Sequence, residues 1–255
     1  MEEKNYHPEP YWSDVAQRIL EREDKNVIAG DDEPYYRYKR EKFLQMLHEV
    51  DFKDKAVMEL GSGPGGNLMN VAKHNPKRLV GADISNDMIR LATKNTEGRA
   101  ELVKIDGTSL PFKDGEFDII FTATVLQHNT DDAMLRKIMA ELCRVCSGNI
   151  YLFERIEKNE IKGDDLCKGR PVSYYESICN ESGFELEEVK FINIETSYAM
   201  AGVTRNWLNS KSREEGEPLN KPSLLLQNIL LPVTKVLDNV FTSNRNMGRL
   251  KFRKK

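Results

Sequence analysis

Short apolar runs alternate with amphipathic helical patterns through the middle of the chain. The runs have the length of buried strands, and the patterns between them repeat apolar residues at helical spacing. Alternation of this kind predicts βαβ units, and so a mostly parallel sheet with helices on both faces. The predicted strands are Lys55–Leu60, Arg78–Ile84, Glu101–Asp106, Phe117–Thr122 and Asn149–Arg155, and the predicted helices between them are Leu68–His74, Asn86–Asn95 and Asp131–Cys146.

Further elements are predicted on both sides of this alternating region. Two helical patterns precede the first strand, one beginning at Tyr11 and one following Pro34. A short helix near Val172–Ser182 and strand-like alternation at Glu185–Ile194 and Met247–Arg253 follow the fifth strand. Between the last two strands lie Trp207, the charged loop Lys211–Glu217 and an apolar helical stretch at Ser223–Phe241 that Pro232 interrupts.

These patterns predict one α/β fold with a seven-stranded sheet and four segments along the chain. Residues 1–50 form a helical lid, and 51–197 form the core. Residues 198–245 form a helical insertion that caps the acceptor site, and 246–255 form the final strand and a basic tail.

Composition narrows the functional classes. The chain has 255 residues, 31% of them charged, and a net charge of −3, which argues against non-specific binding to nucleic acid. It has no run of about 18 apolar residues, and its polar start lacks the pattern of a signal peptide. We therefore expect a cytoplasmic protein.

The four cysteines favour a structural role. Cys143 and Cys146 lie in an apolar helical pattern, and Cys167 and Cys179 are too widely spaced for the second pair of a zinc site. The interpretation is that the first two are small core residues and that the chain has no metal site. Metal or redox chemistry is the open alternative.

A glycine-rich loop, residues 61–66, joins the first predicted strand to the following helix. Glycines allow a tight turn and a close approach of a ligand to the backbone. Gly61, Gly63 and Gly66 also match the spacing of dinucleotide-binding loops, so an NAD-dependent oxidoreductase is an open alternative. Glu59 precedes the loop, and a negative charge there suits a cationic amino-acid ligand better than a pyrophosphate.

Several motifs in the same order resemble the small-molecule branch of the class I S-adenosylmethionine (SAM) dependent methyltransferases. They cover about residues 40–155 and are Glu59–Asn67, Gly81–Ser85, Asp106–Thr108, Leu110–Phe121, Val125–His128 and Glu141–Val145. One departure is Cys146-Ser147-Gly148-Asn149, where the family usually has a lysine-proline-glycine-glycine turn. The resemblance implies a Rossmann-like fold and SAM as the cofactor.

The resemblance also implies a cofactor site, residue by residue. The glycines would line the methionine part of SAM beside Glu59, Asp83 would hold the ribose, and Asp106 and Gly107 would meet the adenine edge, with Ile84 and Met88 packed on the ring. The alternative for Asp83 and Asp106 is helix capping or loop solvation. The predicted cofactor-binding residues are Glu59, Gly61, Gly63, Gly65, Asn67, Asp83, Ile84, Met88, Asp106, Gly107 and Thr122, with Tyr36 and Arg40 from the lid.

Two side chains are candidates for the chemistry. His128 follows the fourth strand and could remove a proton from an oxygen or nitrogen nucleophile, although it could equally pack or bind the loop backbone. Glu154 near the end of the fifth strand could face the acceptor, or pair with Arg155 or another neighbour. In the lid, Tyr36 and Arg40 share a helix face, and we hypothesise that Arg40 binds the SAM carboxylate.

Partners follow from the C-terminal region. We expect a small-molecule acceptor, lipid or lipid-linked molecules included, and no nucleic acid. An apolar helix followed by a basic tail could contact an anionic membrane, and the alternatives are packing on the domain or a homodimer. The leading function is methyl transfer to oxygen or nitrogen. A non-catalytic SAM-binding or membrane-associated module is the alternative from a different class.

Overall fold

The fold is taken from a computed structural model that describes residues 8–21, 33–210 and 219–255. The charged loop predicted at Lys211–Glu217 lies outside these residues. The described chain divides into two units. The first contains residues 8–16, 50–191 and 245–255, and the second contains 17–21, 33–49, 192–210 and 219–244.

The first unit is built on a mostly parallel sheet. Its strands are β1 (Ala56–Leu60), β2 (Arg78–Asp83), β3 (Glu101–Lys104), β4 (Phe117–Ala123), β5 (Cys146–Glu157), β6 (Lys162–Gly163), β7 (Lys168–Pro171), β8 (Phe184–Phe191) and β9 (Asn246–Lys254). Strands β3, β2, β1, β4 and β5 pair in that order and are all parallel. Strand β9 then pairs antiparallel with both β5 and β8. The predicted seven-stranded sheet is therefore confirmed.

Two further strands were not predicted. Strand β7 pairs in parallel with the C-terminal end of β5 and antiparallel with β6. They span only four and two residues, which is too short for an alternating pattern to register, and the sequence there reads as a polar loop.

The described chain contains eight α-helices, most of them where the amphipathic patterns predicted them. They are α1 (Pro8–Leu20), α2 (Pro34–Leu47), α3 (Gly66–Ala72), α4 (Asn86–Thr96), α5 (Asp132–Val145), α6 (Val172–Glu181), α7 (Glu195–Leu208) and α8 (Lys221–Val240). Two of them begin at side-chain caps: Ser85 Oγ accepts from Met88 N–H at 3.2 Å, and Asp131 Oδ1 accepts from Ala133 N–H at 2.8 Å. These caps fix where α4 and α5 begin, at the carboxyl edge of the sheet.

Cys143 and Cys146 belong to the buried hydrophobic core, as the sequence predicted. Among the described residues, no group of three or more His, Cys, Asp or Glu side chains is arranged to hold a metal ion.

The turn at residues 146–149, where the chain departs from the family's usual sequence, is very short. Strand β5 begins at Cys146, directly after α5 ends. A Cβ on Gly148 would meet the Asp118 carbonyl oxygen at 2.4 Å, so the close approach requires glycine there.

The C-terminal tail differs from the expected basic patch. Arg249 is only 5% exposed, and its guanidinium lies 2.7 Å from the Glu188 carboxylate of the adjacent strand. Arg253 pairs with Glu185 at 2.8 Å. Three cations of the tail are therefore paired with glutamates of β8. The antiparallel register places Arg253 opposite Glu185 and Lys251 opposite Glu188, and Arg249 reaches Glu188 diagonally.

The second unit contains helices α2, α7 and α8. Helix α7 was not predicted, because its sequence carries no strong helical stripe. Helix α8 runs unbroken through Pro232, so the predicted interruption is wrong. No helix within the described ranges is long and apolar enough to cross a membrane.

Candidate functional site

The glycine loop turns sharply at the carboxyl end of β1. Gly61, Gly63 and Gly65 all have positive φ, at +68°, +51° and +87°. A Cβ on Gly61 would lie 2.3 Å from Val125 Cγ2, so both the backbone conformation and the packing require glycine. A Cβ on Gly63 would meet no atom of the described residues within 4 Å. The loop is thus packed on one side and open at Gly63.

Asp83 joins the glycine loop to the start of α4. Its two carboxylate oxygens accept the Gly63 N–H at 2.8 Å and the Ser85 N–H at 2.9 Å. Burial raises the pKa of this carboxyl, while the backbone N–H donors oppose the shift. Each carboxylate oxygen can accept a further hydrogen bond, so the capping role and ribose binding are compatible.

Glu59 and Asn67 form a second polar pair beside the loop. Glu59 is fully buried in β1, and its Oε1 accepts from Asn67 Nδ2 at 2.7 Å. The sequence places these two residues eight positions apart, on opposite sides of the glycine turn. The structure brings them together because the turn folds α3 back against β1.

The predicted adenine side is assembled in part. A Cβ on Gly107 would lie 2.9 Å from Ile84 Cδ1, so these two residues are neighbours. Met88 is almost fully buried. Asp106 is exposed, and its Oδ1 accepts the Thr108 N–H at 2.7 Å and the Ser109 N–H at 2.8 Å. The Thr108 and Ser109 hydrogen bonds lower the pKa of Asp106 to about 2, and its predicted contact with the adenine edge stays a prediction.

Thr122 contacts Glu154. Both are fully buried, and Thr122 Oγ1 donates to Glu154 Oε1 at 2.7 Å. Glu154 lies within β5, short of its end at Glu157. Its carboxylate also accepts the Val125 N–H at 3.1 Å and the Gln127 N–H at 3.2 Å. Burial raises the pKa of Glu154, while these donors act in the opposite direction.

A buried cation binds the other end of the same turn. Arg170 is fully buried and donates to the Leu126 carbonyl at 3.1 Å and to the Asn129 carbonyl at 2.8 Å. The 3-10 turn Leu126–His128 therefore has a carboxylate at its amide end and a guanidinium at its carbonyl end. These charges match the dipole of the turn and fix the turn that carries His128.

Both ring nitrogens of His128 are hydrogen-bonded. Nδ1 lies 3.0 Å from the Leu166 carbonyl oxygen, and Nε2 lies 3.1 Å from Gln127 Nε2. A carbonyl oxygen can only accept, so Nδ1 carries a proton and Nε2 can accept from the Gln127 amide. This tautomer leaves the lone pair of the neutral imidazole on Nε2.

The first half of α1 contacts residues at the carboxyl edge of the sheet. Trp12 packs edge-on against His128, with ring centroids 5.1 Å apart. Ser13 Oγ lies 3.1 Å from Ser85 Oγ, and the Glu9 carboxylate lies 3.0 Å from Lys104 Nζ. These partners follow or end β4, β2 and β3, so residues 8–16 cross the edge where ligands bind in open α/β sheets.

Tyr36 and Arg40 belong to α2 in the second unit. The Arg40 guanidinium lies 5.3 Å from the Phe43 ring centroid, and Arg205 of the same unit lies 5.6 Å from the Tyr36 ring centroid. Their predicted contact with the cofactor stays a prediction.

Sequence reasoning missed Arg170 and misjudged Glu154. Arg170 lies 44 residues after Leu126, in a stretch that reads as a polar loop. An isolated arginine there carries no signal of burial. Glu154 binds backbone amides and Thr122, whereas the sequence suggested an acceptor contact or a pair with Arg155 or another neighbour.

A family model described as a methyltransferase domain matches residues 57–149. Norajmaline N-methyltransferase from Rauvolfia serpentina is 28% identical over 111 residues, 42% of this chain and 37% of that protein. Malonyl-[acyl-carrier protein] O-methyltransferase from Legionella pneumophila is 30% identical over 111 residues, covering 42% and 38%. The matched stretch thus spans well under half of these curated relatives.

Solved structures agree on the fold. The putative sarcosine dimethylglycine methyltransferase from Galdieria sulphuraria superposes with a TM-score of 0.62 at 13% identity. The match covers 95% of this chain and 98% of that one. Identity this low supports the architecture alone. Together with the family match, it confirms the fold that the motifs implied.

Arg170→Met is expected to lower the free energy of unfolding by about 3 kcal/mol, because two buried carbonyls lose charged donors. Urea unfolding would measure this. Arg136→Met is the matched control, since Arg136 is half exposed and its nearest Glu181 oxygen is 3.6 Å away; its loss should cost less than about 1 kcal/mol. Equal effects of the two substitutions would contradict the role assigned to Arg170.

Proposed function

We propose that this chain, a member of the class I SAM-dependent methyltransferases, transfers a methyl group to an oxygen or nitrogen of a small-molecule acceptor. The observation that carries the proposal is the open position above Gly63, with the Asp83 carboxylate bonded to the Gly63 N–H. Glu59 adds a second buried carboxylate on the neighbouring strand.

The residues present fit SAM better than a dinucleotide. SAM carries a sulfonium and an ammonium, and both favour the carboxylate-rich surroundings of the glycine loop. A pyrophosphate would be repelled by the same two carboxylates, so NAD serves here as the control ligand. Asp83 would hold the ribose through its remaining acceptor sites, and Gly107 with Ile84 would border the adenine.

The protein's main task is to position the acceptor, because bound SAM supplies a methyl group already activated by its sulfonium. The nucleophile must lie in line with the methyl–sulfur bond, with water excluded. His128 Nε2 is the proposed proton acceptor, and Glu154 and Arg170 act as positioning residues by fixing its turn. Trp12 packs edge-on against the imidazole.

The acceptor class is proposed from the relatives. One curated relative is named as an N-methyltransferase and another as an O-methyltransferase, so both nucleophiles are kept. Lipids and lipid-linked molecules are included in the proposed class, because another curated relative is named as a tocopherol O-methyltransferase.

A second candidate function is a non-catalytic SAM-binding module. One observation favours it: both ring nitrogens of His128 are already hydrogen-bonded, to the Gln127 side chain and to the Leu166 carbonyl. A base must exchange one of these partners for the acceptor before it can take a proton.

Gly63→Ala is expected to weaken binding of S-adenosylhomocysteine about tenfold or more in calorimetric titration, because its Cβ would occupy the ligand's space. Gly98→Ala is the matched control. Gly98 also has a positive φ, +77°, and a Cβ added there would likewise meet no described atom within 4 Å. Both variants should lose similar stability, about 1–2 kcal/mol from the left-handed backbone. Equal ligand affinity in the two variants, or binding of NAD by the unaltered chain, would overturn the cofactor assignment.

Arg40→Ala is expected to weaken S-adenosylhomocysteine binding roughly tenfold, since a charged hydrogen bond to the ligand carboxylate would be lost. Arg37→Ala provides the control, because Arg37 is an exposed arginine of the same helix. Unchanged affinity in the Arg40 variant would remove Arg40 from the proposed site.

Turnover separates the two candidate functions. Incubation with methyl-labelled SAM and fractionated small-molecule extract should give a labelled product in the presence of the chain. His128→Asn should slow its formation while leaving S-adenosylhomocysteine affinity unchanged, because the residue acts on the acceptor's proton. Tight SAM binding without a labelled product from any fraction would favour the binding module.

A further inference from the structure

Helix α8 packs with its polar side inward and its apolar side outward. Its buried side chains are polar: Ser223, Gln227, Thr234 and Asp238. Its most exposed large side chains are apolar, each between 60% and 68% exposed: Leu225, Ile229, Val233, Val236 and Val240. Amphipathic helices of globular proteins normally show the opposite arrangement.

The exposed apolar residues form one continuous stripe. They are spaced by four, four, three and four positions, which keeps them on one face of an α-helix. From Leu225 to Val240 the stripe is roughly 22 Å long at 1.5 Å per residue. We call these five residues the apolar stripe.

Hydrogen bonds within the second unit hold the helix in this orientation. The Asp238 carboxylate accepts the Thr196 N–H at 2.8 Å and the Ser197 N–H at 3.2 Å, so it caps α7. Ser197 and Thr234 hydroxyl oxygens lie 2.8 Å apart. Rolling α8 to hide the apolar stripe would break these hydrogen bonds and leave the Thr196 and Ser197 N–H groups without the Asp238 carboxylate.

Aromatic residues extend the apolar surface. Phe241 follows the helix directly and is 59% exposed. On α7, Trp207 is 83% exposed and shares a helix face with Val203, itself half exposed. Exposed apolar surface of this extent marks an interaction site, and tryptophan and phenylalanine are favoured where a helix lies in a membrane interface.

The charged side chains of α8 indicate what kind of partner docks on the apolar stripe. Helix α8, all of whose residues are described, has three charged side chains: Lys221, Lys235 and Asp238. Asp238 is fully buried, and the partly exposed Lys235 lies 4.0 Å from the Glu41 carboxylate of α2, so the exposed charge of the helix is that of Lys221. Such a face is attracted by an anionic surface. In a homodimer formed through this face, the lysines of one α8 would meet no exposed acidic side chain of the other α8.

We infer that the apolar stripe, with Phe241 and Trp207, docks on an anionic lipid bilayer as an interfacial helix. The stripe enters the boundary between headgroups and acyl chains, and Lys221 binds anionic headgroups. The paired arginines of β9 have no part in this contact. The inference concerns the surface of the second unit and does not rest on methyl transfer.

Flotation of the full chain with vesicles tests the inference. We expect co-flotation with phosphatidylcholine vesicles that contain phosphatidylglycerol, and weaker co-flotation with phosphatidylcholine alone. Ile229→Gln combined with Val236→Gln should reduce partitioning about tenfold or more, because two inserted side chains are lost. Circular dichroism should be unchanged, since both positions are exposed.

Ile161→Gln combined with Val189→Gln is the matched control. These apolar residues are also exposed, at 43% and 39%, but belong to the first unit, and their loss should leave flotation unchanged. Absence of flotation by the unaltered chain would overturn the inference. So would a dimer, measured by light scattering without lipid, that the Ile229 and Val236 substitutions dissociate.

Discussion

The Asp83 carboxylate is the interaction on which the site depends. It lies at the end of β2, yet it binds the backbone of the glycine loop after β1 and the first residue before α4. Two loops that the parallel sheet merely places side by side are thereby joined into one rigid edge. Its burial raises the pKa of the carboxyl, and the N–H donors that offset this are the same ones that shape the loop. One side chain consequently contacts both the glycine loop and the residue that caps α4.

A second pair of buried charges holds the turn that presents His128. Glu154 binds the amide end of this turn and Arg170 binds its carbonyl end, and both side chains are fully buried. Burying charges is costly unless they are well hydrogen-bonded. Here the cost is offset by several hydrogen bonds, and the result is one orientation of the turn. The imidazole tautomer then follows from Leu166 and Gln127, which contact its two nitrogens.

The second unit shows the same use of buried polar groups with a different outcome. Asp238, Ser197 and Thr234 form a hydrogen-bonded cluster that fixes how α8 packs on α7. Because the polar side of α8 is required inside, its apolar side is left outside. The exposed apolar surface is thus a consequence of hydrogen bonding inside the second unit.

The sequence by itself determined the strands of the seven-stranded sheet, most of the helices, and where most of the candidate cofactor-binding residues lie. Apolar periodicity is local, so the strands of the parallel sheet and helices α4 and α5 were predictable to within a few residues. The glycine loop, Glu59 and Asp83 were predictable because they adjoin strand ends, and parallel strands bring those ends together.

Tertiary structure decided whatever depends on contacts distant along the chain. Periodicity indicated that α8 is amphipathic, but a pattern cannot say which face finds a hydrogen-bonding partner, and Thr196 lies 42 residues before Asp238. The burial of Arg170 could not be predicted for the same reason, because it depends on a turn 44 residues earlier in the chain. The composition of the tail showed that it is basic. Only the pairing of β9 with β8 showed that glutamates of β8 neutralise Arg249, Lys251 and Arg253. Local patterns specify secondary structure, whereas the partner of a charged or polar side chain is specified by the folded chain.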